Sequence, residues 1–209
     1  MATHYRTQGF ILKKDDRGEA NQVFTIYTKD FGKLEILGKA IRKISSKLRS
    51  GTEIFYLSEI RFIQGKTQKT LTDAIVIDKF ENVRNNLRKL KITHKIAEVF
   101  DELVHGQEKD ENLWQLLSEV FDKLNNLQFK IYNLQLVYFY FFWNLVSILG
   151  YQPEFYECSL NGKKINCDVI KILKVILIKD WQILSRLKIE PRHLKLLKDA
   201  SEWYNKSIQ

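Results

Sequence analysis

The stretch from residue 38 to residue 50, GKAIRKISSKLRS, contains five positively charged side chains and no acidic one. Lysine and arginine displace the counterions of phosphates, so such a cluster can bind DNA or RNA without reading bases. A solvated loop that only keeps the protein soluble would have the same composition. Because the cluster lies between predicted strands of a barrel, we favour contact with nucleic acid. Its cations are Lys39, Arg42, Lys43, Lys47 and Arg49.

Two further cations are assigned to the same predicted site. Lys14 ends the first predicted strand, and Arg17 lies in the polar segment that follows it. Aromatic side chains of the same region could stack on bases, but a small barrel needs large side chains in its core, so we expect most of them to be buried. These aromatic residues are Tyr5, Phe10, Phe24, Tyr27, Phe31, Phe55, Tyr56 and Phe62.

Two Glu-x-x-His pairs have the spacing of carboxylate-bridged di-iron bundles, namely Glu102 with His105 and Glu190 with His193. The second pair spans Pro191, which is typical of the start of a helix. The most apolar predicted helix offers no carboxylate that could complete such a site. A metal-dependent oxygen enzyme is therefore disfavoured.

Other catalytic motifs fail on their context. The tripeptide at residues 65–67, GKT, matches the end of a phosphate-binding P-loop, but Ile60 stands where that motif needs glycine. The tripeptide also joins two predicted strands instead of opening a helix, so we predict a hairpin turn. The sequence shows no nucleophile elbow, no catalytic-triad spacing and no dinucleotide fingerprint. We expect a protein that is not an enzyme.

Cys158 and Cys167 could supply half of a structural zinc site, which normally has four ligands. If Gly162 and Lys163 are the central residues of a hairpin turn, the two cysteines lie directly opposite each other. They would then be a packed pair or a weakly redox-active pair. Simple packing is the interpretation that we favour.

Hydrophobic patterning divides the chain near residue 80. Five or so short segments rich in β-branched and aromatic residues precede it, with a polar turn DDRGEAN after the first and a turn KDFGK in which Gly32 takes a positive φ. Such strands indicate a small barrel, closed or partly closed. From about residue 89, apolar residues recur at helical spacing, and Pro191 begins the last helix. A turn-rich segment with Asn161 and Gly162 predicts a protruding hairpin at residues 153–168.

Composition sets further limits. The net charge is +9 and the pI is near 9.4, and residues 1–80 carry +6 of that charge, which indicates a polyanionic partner. Two cysteines in 209 residues are typical of a cytosolic protein, and no signal peptide precedes the first charges, so we expect a cytoplasmic location.

The segment 131–153 has no charged residue. A membrane anchor at residues 131–149 is the alternative to a helix buried in a bundle, which we favour because polar side chains interrupt the segment.

Three segments in order resemble the bacterial recombination mediator family RecO. The segment TQGFILKKDDRGEANQVFTIYTKDFGKLEILGKAIRKISSKL is similar to the family's opening pattern of a strand ending in Leu-Lys, a Gly-Glu-Ala turn, a Thr-x-x-x-Gly-Lys turn and a basic loop. TLTDAIVIDKFENVRNNLRKL resembles the strand that closes the barrel and enters the helical domain. ILGYQPEFYEC resembles the segment that leads to the family's first zinc cysteine. The likeness spans nearly the whole chain.

The resemblance implies an α+β protein with an N-terminal OB-fold at residues 1–80 and a helical domain at residues 81–209 that carries an inserted zinc module. It also implies binding of single- and double-stranded DNA, annealing of complementary strands, and loading of recombinase onto DNA coated by single-strand binding protein. The implied partners are RecR and the acidic C-terminal tail of the single-strand binding protein. The family's basic loop corresponds to Lys39, Arg42, Lys43 and Lys47.

Two departures from the family pattern modify these expectations. Where many members have Cys-x-x-Cys-Gly, this chain has Cys158-Ser-Leu-Asn161-Gly162, and the second cysteine pair is reduced to Cys167. We therefore expect a degenerate zinc module without zinc. The chain also stops short of the family's usual tail. An RNA-binding or single-strand-binding OB module of other function remains the alternative, besides the membrane-attached protein.

Overall fold

The computed structural model describes residues 3–44, 46–126 and 134–208. The chain forms two compact units, Met1–Gln115 and Leu116–Gln209, and the division between them falls inside the third helix. The sequence-predicted boundary near residue 80 coincides instead with the change from strands to helices. The fold is α+β, with a closed barrel of five strands followed by helices.

The barrel consists of β1 to β5 in the order β1-β2-β3-β5-β4, with β4 pairing back onto β1. All pairs are antiparallel except the short contact of β3 with β5, at Ile36 and Leu37. This arrangement is that of an OB-type barrel. The strands are β1 (His4–Arg17), β2 (Asn21–Thr28), β3 (Gly32–Gly38), β4 (Leu57–Gln64) and β5 (Lys69–Asp78).

β1 is longer than the sequence predicts. The polar segment after Lys14 does not form a turn at once but pairs with the start of β2, and only residues 18–20 make the turn. A shift of register between Ile11 and Lys13 bends the strand. The bend lets one half of β1 pair with β4 and the other half with β2, as closure of the barrel requires. The predicted turn at Gly32 is confirmed, with φ at 62°.

The barrel core also holds the chain between β3 and β4. Ile41 is 1% exposed and belongs to the core cluster, and Leu48 packs against that cluster from a 3-10 helix, Lys47–Gly51. Gly51 touches β5 so closely that a Cβ there would collide with the carbonyl oxygen of Ala74. Two apolar anchors and one glycine therefore hold this polar connection on the barrel.

Seven helices follow the barrel within the described residues, and α7 begins at Pro191 as predicted. The hairpin turn predicted at GKT is confirmed, since residues 65–68 form the turn between β4 and β5. The helices are α1 (Glu81–Arg84), α2 (Leu87–Leu103), α3 (Glu111–Asn126), α4 (Leu134–Ile148), α5 (Cys167–Leu177), α6 (Trp181–Arg186) and α7 (Pro191–Ile208).

α4 occupies the uncharged segment, of which residues 131–133 lie outside the described part. Two of its side chains donate to other helices: the indole of Trp143 to Ser201 Oγ at 3.0 Å, and the amide of Asn144 to the carbonyl of Ile176 at 3.3 Å. The same amide also donates to the carbonyl of Tyr140 within α4 at 2.8 Å. Trp143 and Asn144 are both completely buried. No helix in the described residues has the length and apolar character needed to cross a membrane.

The predicted hairpin at residues 153–168 is instead a small sheet of three two-residue strands, β6 (Phe155–Tyr156), β7 (Ser159–Leu160) and β8 (Lys163–Lys164). Asn161 and Gly162 both have positive φ and are the central residues of the last turn. The hairpin signal at Asn161 and Gly162 is therefore confirmed. The condition under which Cys158 and Cys167 would lie opposite each other, with Gly162 and Lys163 at the centre of the turn, is not met.

Candidate nucleic-acid interface

The predicted basic site lies on the connection between β3 and β4, and we call residues 38–50 the basic connection. All five of its cations are exposed. Its backbone is fixed at several points: Asn21 Oδ1 accepts from the amide of Ala40 at 2.8 Å, and the amide of Arg42 donates to the carbonyl of Ala20 at 3.1 Å. The connection is thus docked onto the turn between β1 and β2, with its charged side chains directed to solvent.

Four of the five cations carry uncompensated charge. Within the described part of the chain, Lys39, Lys43, Lys47 and Arg49 form no ion pair with a carboxylate. Ile44, on the same connection, exposes 97% of its surface. An exposed apolar side chain in a segment with unpaired cations can contact a sugar or a base while the cations contact phosphates.

The other three predicted cations have partners on the barrel. Arg42 pairs with Asp16 at 3.2 Å, Lys14 pairs with Glu53 at 2.9 Å, and Arg17 donates to the side-chain carbonyl of Gln68 at 3.2 Å. Charge counting along the sequence could not show this, because these partners come close only in the folded barrel.

A groove continues from the basic connection along the barrel. Tyr56 and Val76 line it on the barrel side, and Arg49, Glu53 and Lys79 provide charge; Ser46 and Ser50 complete its lining. Lys79 was not among the predicted cations. It follows β5 directly. A search for cations just after strand ends, where the loops of a barrel gather, would have found it.

Tyr56 is covered on one face by a cation. The guanidinium carbon of Arg84 lies 4.9 Å from the ring centroid, and Arg84 also donates to the carbonyl of Ile54 at 2.9 Å. Only 9% of Tyr56 is exposed, so Arg84 is the more accessible group of the pair. Arg84 was also absent from the predicted site, and only the tertiary contact with Tyr56 associates it with the groove.

The aromatic residues of the barrel serve its core. Tyr5 and Phe31 are half-buried and pack on Phe62, with Tyr5 and Phe62 stacked at 5.2 Å between centroids. The other predicted candidates are buried: Phe10, Phe24, Tyr27, Phe55, Tyr56 and Phe62. The barrel therefore presents cations, and no exposed aromatic platform among its described residues, to a nucleic acid.

Burial and pairing shift the pKa values of two groups on the barrel. Burial raises the pKa of Tyr27 to about 12, and its hydroxyl donates to the carbonyl of Asp110 at 3.2 Å. The hydrogen bond from Arg6 lowers the pKa of Glu59, and Arg61 adds to the effect. At pH 7 the Tyr27 hydroxyl is therefore neutral and the Glu59 carboxylate is charged.

The two Glu-x-x-His pairs and the two cysteines were the residues considered as possible metal ligands. The described residues contain no group of three or more His, Cys, Asp or Glu side chains placed to hold a metal ion. Cys158 and Cys167 are joined by a disulfide, so their interpretation as simply packed thiols is wrong. Cys167 is not on a strand opposite Cys158 but is the first residue of α5.

Comparison with known proteins fits this architecture. The family model for the N-terminal part of Recombination protein O matches residues 1–80, and the model for its C-terminal part matches residues 84–207. The chain belongs to the RecO family. The two matched parts meet where the strands of the barrel end and the helices begin.

Several proteins named DNA repair protein RecO are similar to this chain. The one from Dehalococcoides mccartyi is 29% identical over 165 residues, which cover 79% of this chain and 64% of the relative. The one from Roseiflexus sp. is 28% identical over 163 residues, covering 76% and 54%. The one from Moorella thermoacetica is 30% identical over 156 residues, covering 75% and 57%. The chain thus spans between about half and two thirds of the length of these relatives.

Proposed function

We propose that this chain is a non-catalytic DNA-binding protein of recombinational repair in the cytoplasm. It binds single- and double-stranded DNA through the basic connection, anneals complementary strands, and assists the loading of recombinase onto DNA coated by single-strand binding protein. The observation that carries the proposal is the set of four exposed, unpaired cations on one connection of an OB-type barrel. Membership of the RecO family supports the assignment to DNA repair.

The charge arrangement suits annealing. Two complementary strands repel each other through their phosphates until cations screen that repulsion. The basic connection supplies such cations without an exposed aromatic platform, so it would hold backbones and leave the bases free to pair. No general acid or base is needed for this reaction, since no covalent bond changes.

An annealing assay tests the proposal. Complementary DNA strands coated with single-strand binding protein are mixed with the wild-type chain or with a variant in which the five cations of the basic connection are replaced by glutamine. We expect the wild type to accelerate annealing and the variant to lose most of that acceleration. Equal acceleration by both proteins would contradict a role for the basic connection.

A competition experiment tests whether the chain prefers DNA or RNA. Phosphate contacts alone do not distinguish ribose from deoxyribose, so an RNA-binding module would use the same cations. Matched DNA and RNA strands competing for the chain separate the two functions. We expect DNA to compete at least as well as RNA, and clear preference for RNA would overturn the assignment to DNA repair.

The proposed partners are RecR and the acidic C-terminal tail of single-strand binding protein. Residues 116–209 contain 13 lysines and arginines against 9 aspartates and glutamates, a net positive charge that favours an acidic peptide. Calorimetric titration of the chain with a peptide of that tail, and with the same peptide lacking its acidic residues, measures this interaction. We expect the chain to bind the acidic peptide and not the peptide that lacks the acidic residues.

The second proposed partner, RecR, is tested by size-exclusion chromatography, in which we expect RecR to co-elute with the chain.

A further inference from the structure

The two cysteines do not fit the zinc module that the family resemblance implies. A closed structural zinc site needs four ligands, and its cysteines bind as thiolates. Here Cys158 and Cys167 are bonded to each other, with Cα atoms 4.6 Å apart, which is within the normal span of a disulfide. The described residues hold no third or fourth ligand beside them. The pair therefore has a chemistry of its own.

We propose that Cys158 and Cys167 are a reversible redox site, in which a dithiol and a disulfide interconvert and the disulfide ties the small sheet to the start of α5. The site lies in the helical part of the chain and is separate from the DNA-binding role proposed above. In a reducing compartment the pair is a dithiol, and an oxidised low-molecular-weight disulfide closes the bond.

The backbone holds the two cysteines ready for this bond. Cys158 lies between β6 and β7, and its carbonyl accepts from the amide of Ile165 at 2.9 Å. Asn166 then caps α5, with its side chain accepting from the amide of Asp168 at 2.8 Å, and places Cys167 in the first turn. Because these hydrogen bonds do not involve sulfur, both thiols stay close when the disulfide opens.

The two sulfurs differ in reactivity. Cys167 is exposed and begins an 11-residue helix, whose positive dipole end stabilises a thiolate. Cys158 is half-buried and has no such helix end. Cys167 is therefore the thiol that meets an external disulfide, and Cys158 is the one that resolves the intermediate.

The reaction balances as two exchange steps. The Cys167 thiolate attacks one sulfur of oxidised glutathione, forms a mixed disulfide and releases one glutathione thiolate. The Cys158 thiolate then attacks the Cys167 sulfur of that mixed disulfide and releases the second glutathione. Two protein thiols lose two electrons and two protons, and one glutathione disulfide becomes two glutathione thiols.

Reduction would loosen the small sheet without unfolding it. Leu160 is fully buried, the ammonium of Lys163 lies 4.4 Å from the Trp203 ring centroid, and Asn161 donates to the Tyr204 hydroxyl at 3.5 Å. These contacts remain in the dithiol form. The disulfide adds a short covalent loop, since its cysteines are nine positions apart. Closing a loop of about 10 residues suppresses opening of the segment by up to about a hundredfold in the chain-entropy model.

The chemistry is tested on the full chain by equilibration with reduced and oxidised glutathione, followed by thiol alkylation and intact-mass measurement. We expect both thiols to disappear together as the intramolecular disulfide forms, without a lasting glutathione adduct, and to return with excess dithiothreitol. The Cys158→Ser variant should accumulate a glutathione adduct on Cys167. The Cys167→Ser variant should react at least about tenfold more slowly, because the remaining thiol is half-buried and lacks the helix end.

Three results would overturn the proposal. They are thiols that both persist under excess oxidised glutathione, a disulfide that forms only between two molecules, and stoichiometric binding of added zinc by the reduced chain. DNA affinity is not a readout of this experiment, so failure here and failure of the DNA-binding proposal are recognised separately.

The structural consequence is measured by hydrogen exchange of the amides at residues 159–165. Exchange should be faster in the reduced wild type than in the oxidised wild type, by about tenfold to a hundredfold. A chain with both Cys158→Ser and Cys167→Ser is the matched control and should exchange at the reduced rate in either buffer. Identical exchange in the two redox states of the wild type would show that the disulfide does not restrain the small sheet.

Discussion

On the outer face of β1, β4 and β5, two arginines lie beside carboxylates, whereas the cations of the basic connection mostly do not. Arg6 and Arg61 both bond to Glu59, and Arg61 also lies 3.7 Å from Asp73. We call these four residues the paired face. Both surfaces contribute cations to the barrel, but only the basic connection has several cations that no carboxylate neutralises.

The difference arises from the kind of backbone that carries the charges. Strand pairing places Arg61 opposite Asp73 on one side and opposite Arg6 on the other, and Glu59 neutralises this like-charged pair. A connection between strands has no such row of cross-strand neighbours. Its cations stay unpaired unless a turn happens to dock on it, as the turn near Asp16 does for Arg42. Uncompensated charge, more than the number of cations, therefore marks the candidate interface.

The largest effect is expected where the basic connection is anchored. Ile41→Ala removes a buried side chain from the core and should lower the free energy of unfolding by about 2–5 kcal/mol. Ile44→Ala is the matched control in the same connection. Because Ile44 is exposed, its loss should change stability by less than about 0.5 kcal/mol in urea unfolding. Equal losses would mean that Ile41 does not anchor the connection.

The next effect concerns charge. Replacing Lys39, Lys43, Lys47 and Arg49 with glutamine should flatten the dependence of log affinity for single-stranded DNA on log salt by about 2.8, at about 0.7 per phosphate contact. Raising the salt from 50 to 200 mM should therefore weaken DNA binding by the wild type about fiftyfold more than binding by the variant. Fluorescence anisotropy across that range measures the slope.

The paired face supplies the control for that experiment. A chain with Arg6→Gln and Arg61→Gln should keep a slope within about 0.7 of the wild type, since its cations are already neutralised. If this variant lost as much slope per residue as the basic connection, the distinction between the two surfaces would be wrong.

A smaller effect is expected from freeing Arg42. Asp16→Asn removes its partner and should steepen the salt dependence by about 0.7, a gain of one phosphate contact. Adding Arg42→Gln to that variant should cancel the gain. Asp73→Asn, which makes the same change of charge on the paired face, should leave the slope unchanged. A gain that survives the loss of Arg42 would show a general charge effect instead.

The smallest effect is the pH dependence of the paired face. Because the hydrogen bond from Arg6 lowers the pKa of Glu59, the folded state binds a proton there less readily than the unfolded chain does. The stabilisation is therefore complete above the ordinary glutamate pKa of 4.5 and is lost as pH falls below it through the folded value. In urea unfolding, the free energy of unfolding of Glu59→Gln should fall slightly less on acidification than that of the wild type. Glu35→Gln, an exposed glutamate of β3, should behave as the wild type does.

Local signals were sufficient for much of the fold. Alternating apolar residues gave the strands of the barrel, Gly32 marked a turn that needs positive φ, and Pro191 marked the start of α7. Each of these features depends on residues close together in the chain. The turn at Asn161 and Gly162 was also recognised, because an Asn-Gly pair suits a two-residue turn with two positive φ angles. Whether the two cysteines face each other across it was not fixed by this local signal.

The candidate site was predicted less completely. The basic connection was identified from its unbroken run of cations, but the ion pairs of Arg42 and Lys14 and the groove cations Lys79 and Arg84 were not. These relations join residues far apart in sequence. Pair formation depends on strand register and loop docking, which a count of charges does not contain.

The sequence by itself determined the architecture and the surplus of positive charge in its first third, because periodicity and composition are properties of neighbouring residues. Tertiary structure decided which cations remain unpaired and that Cys158 and Cys167 bond to each other. Both outcomes depend on distances of a few ångströms between side chains on different elements. Such distances are fixed only when the barrel closes and when the small sheet meets the first turn of α5.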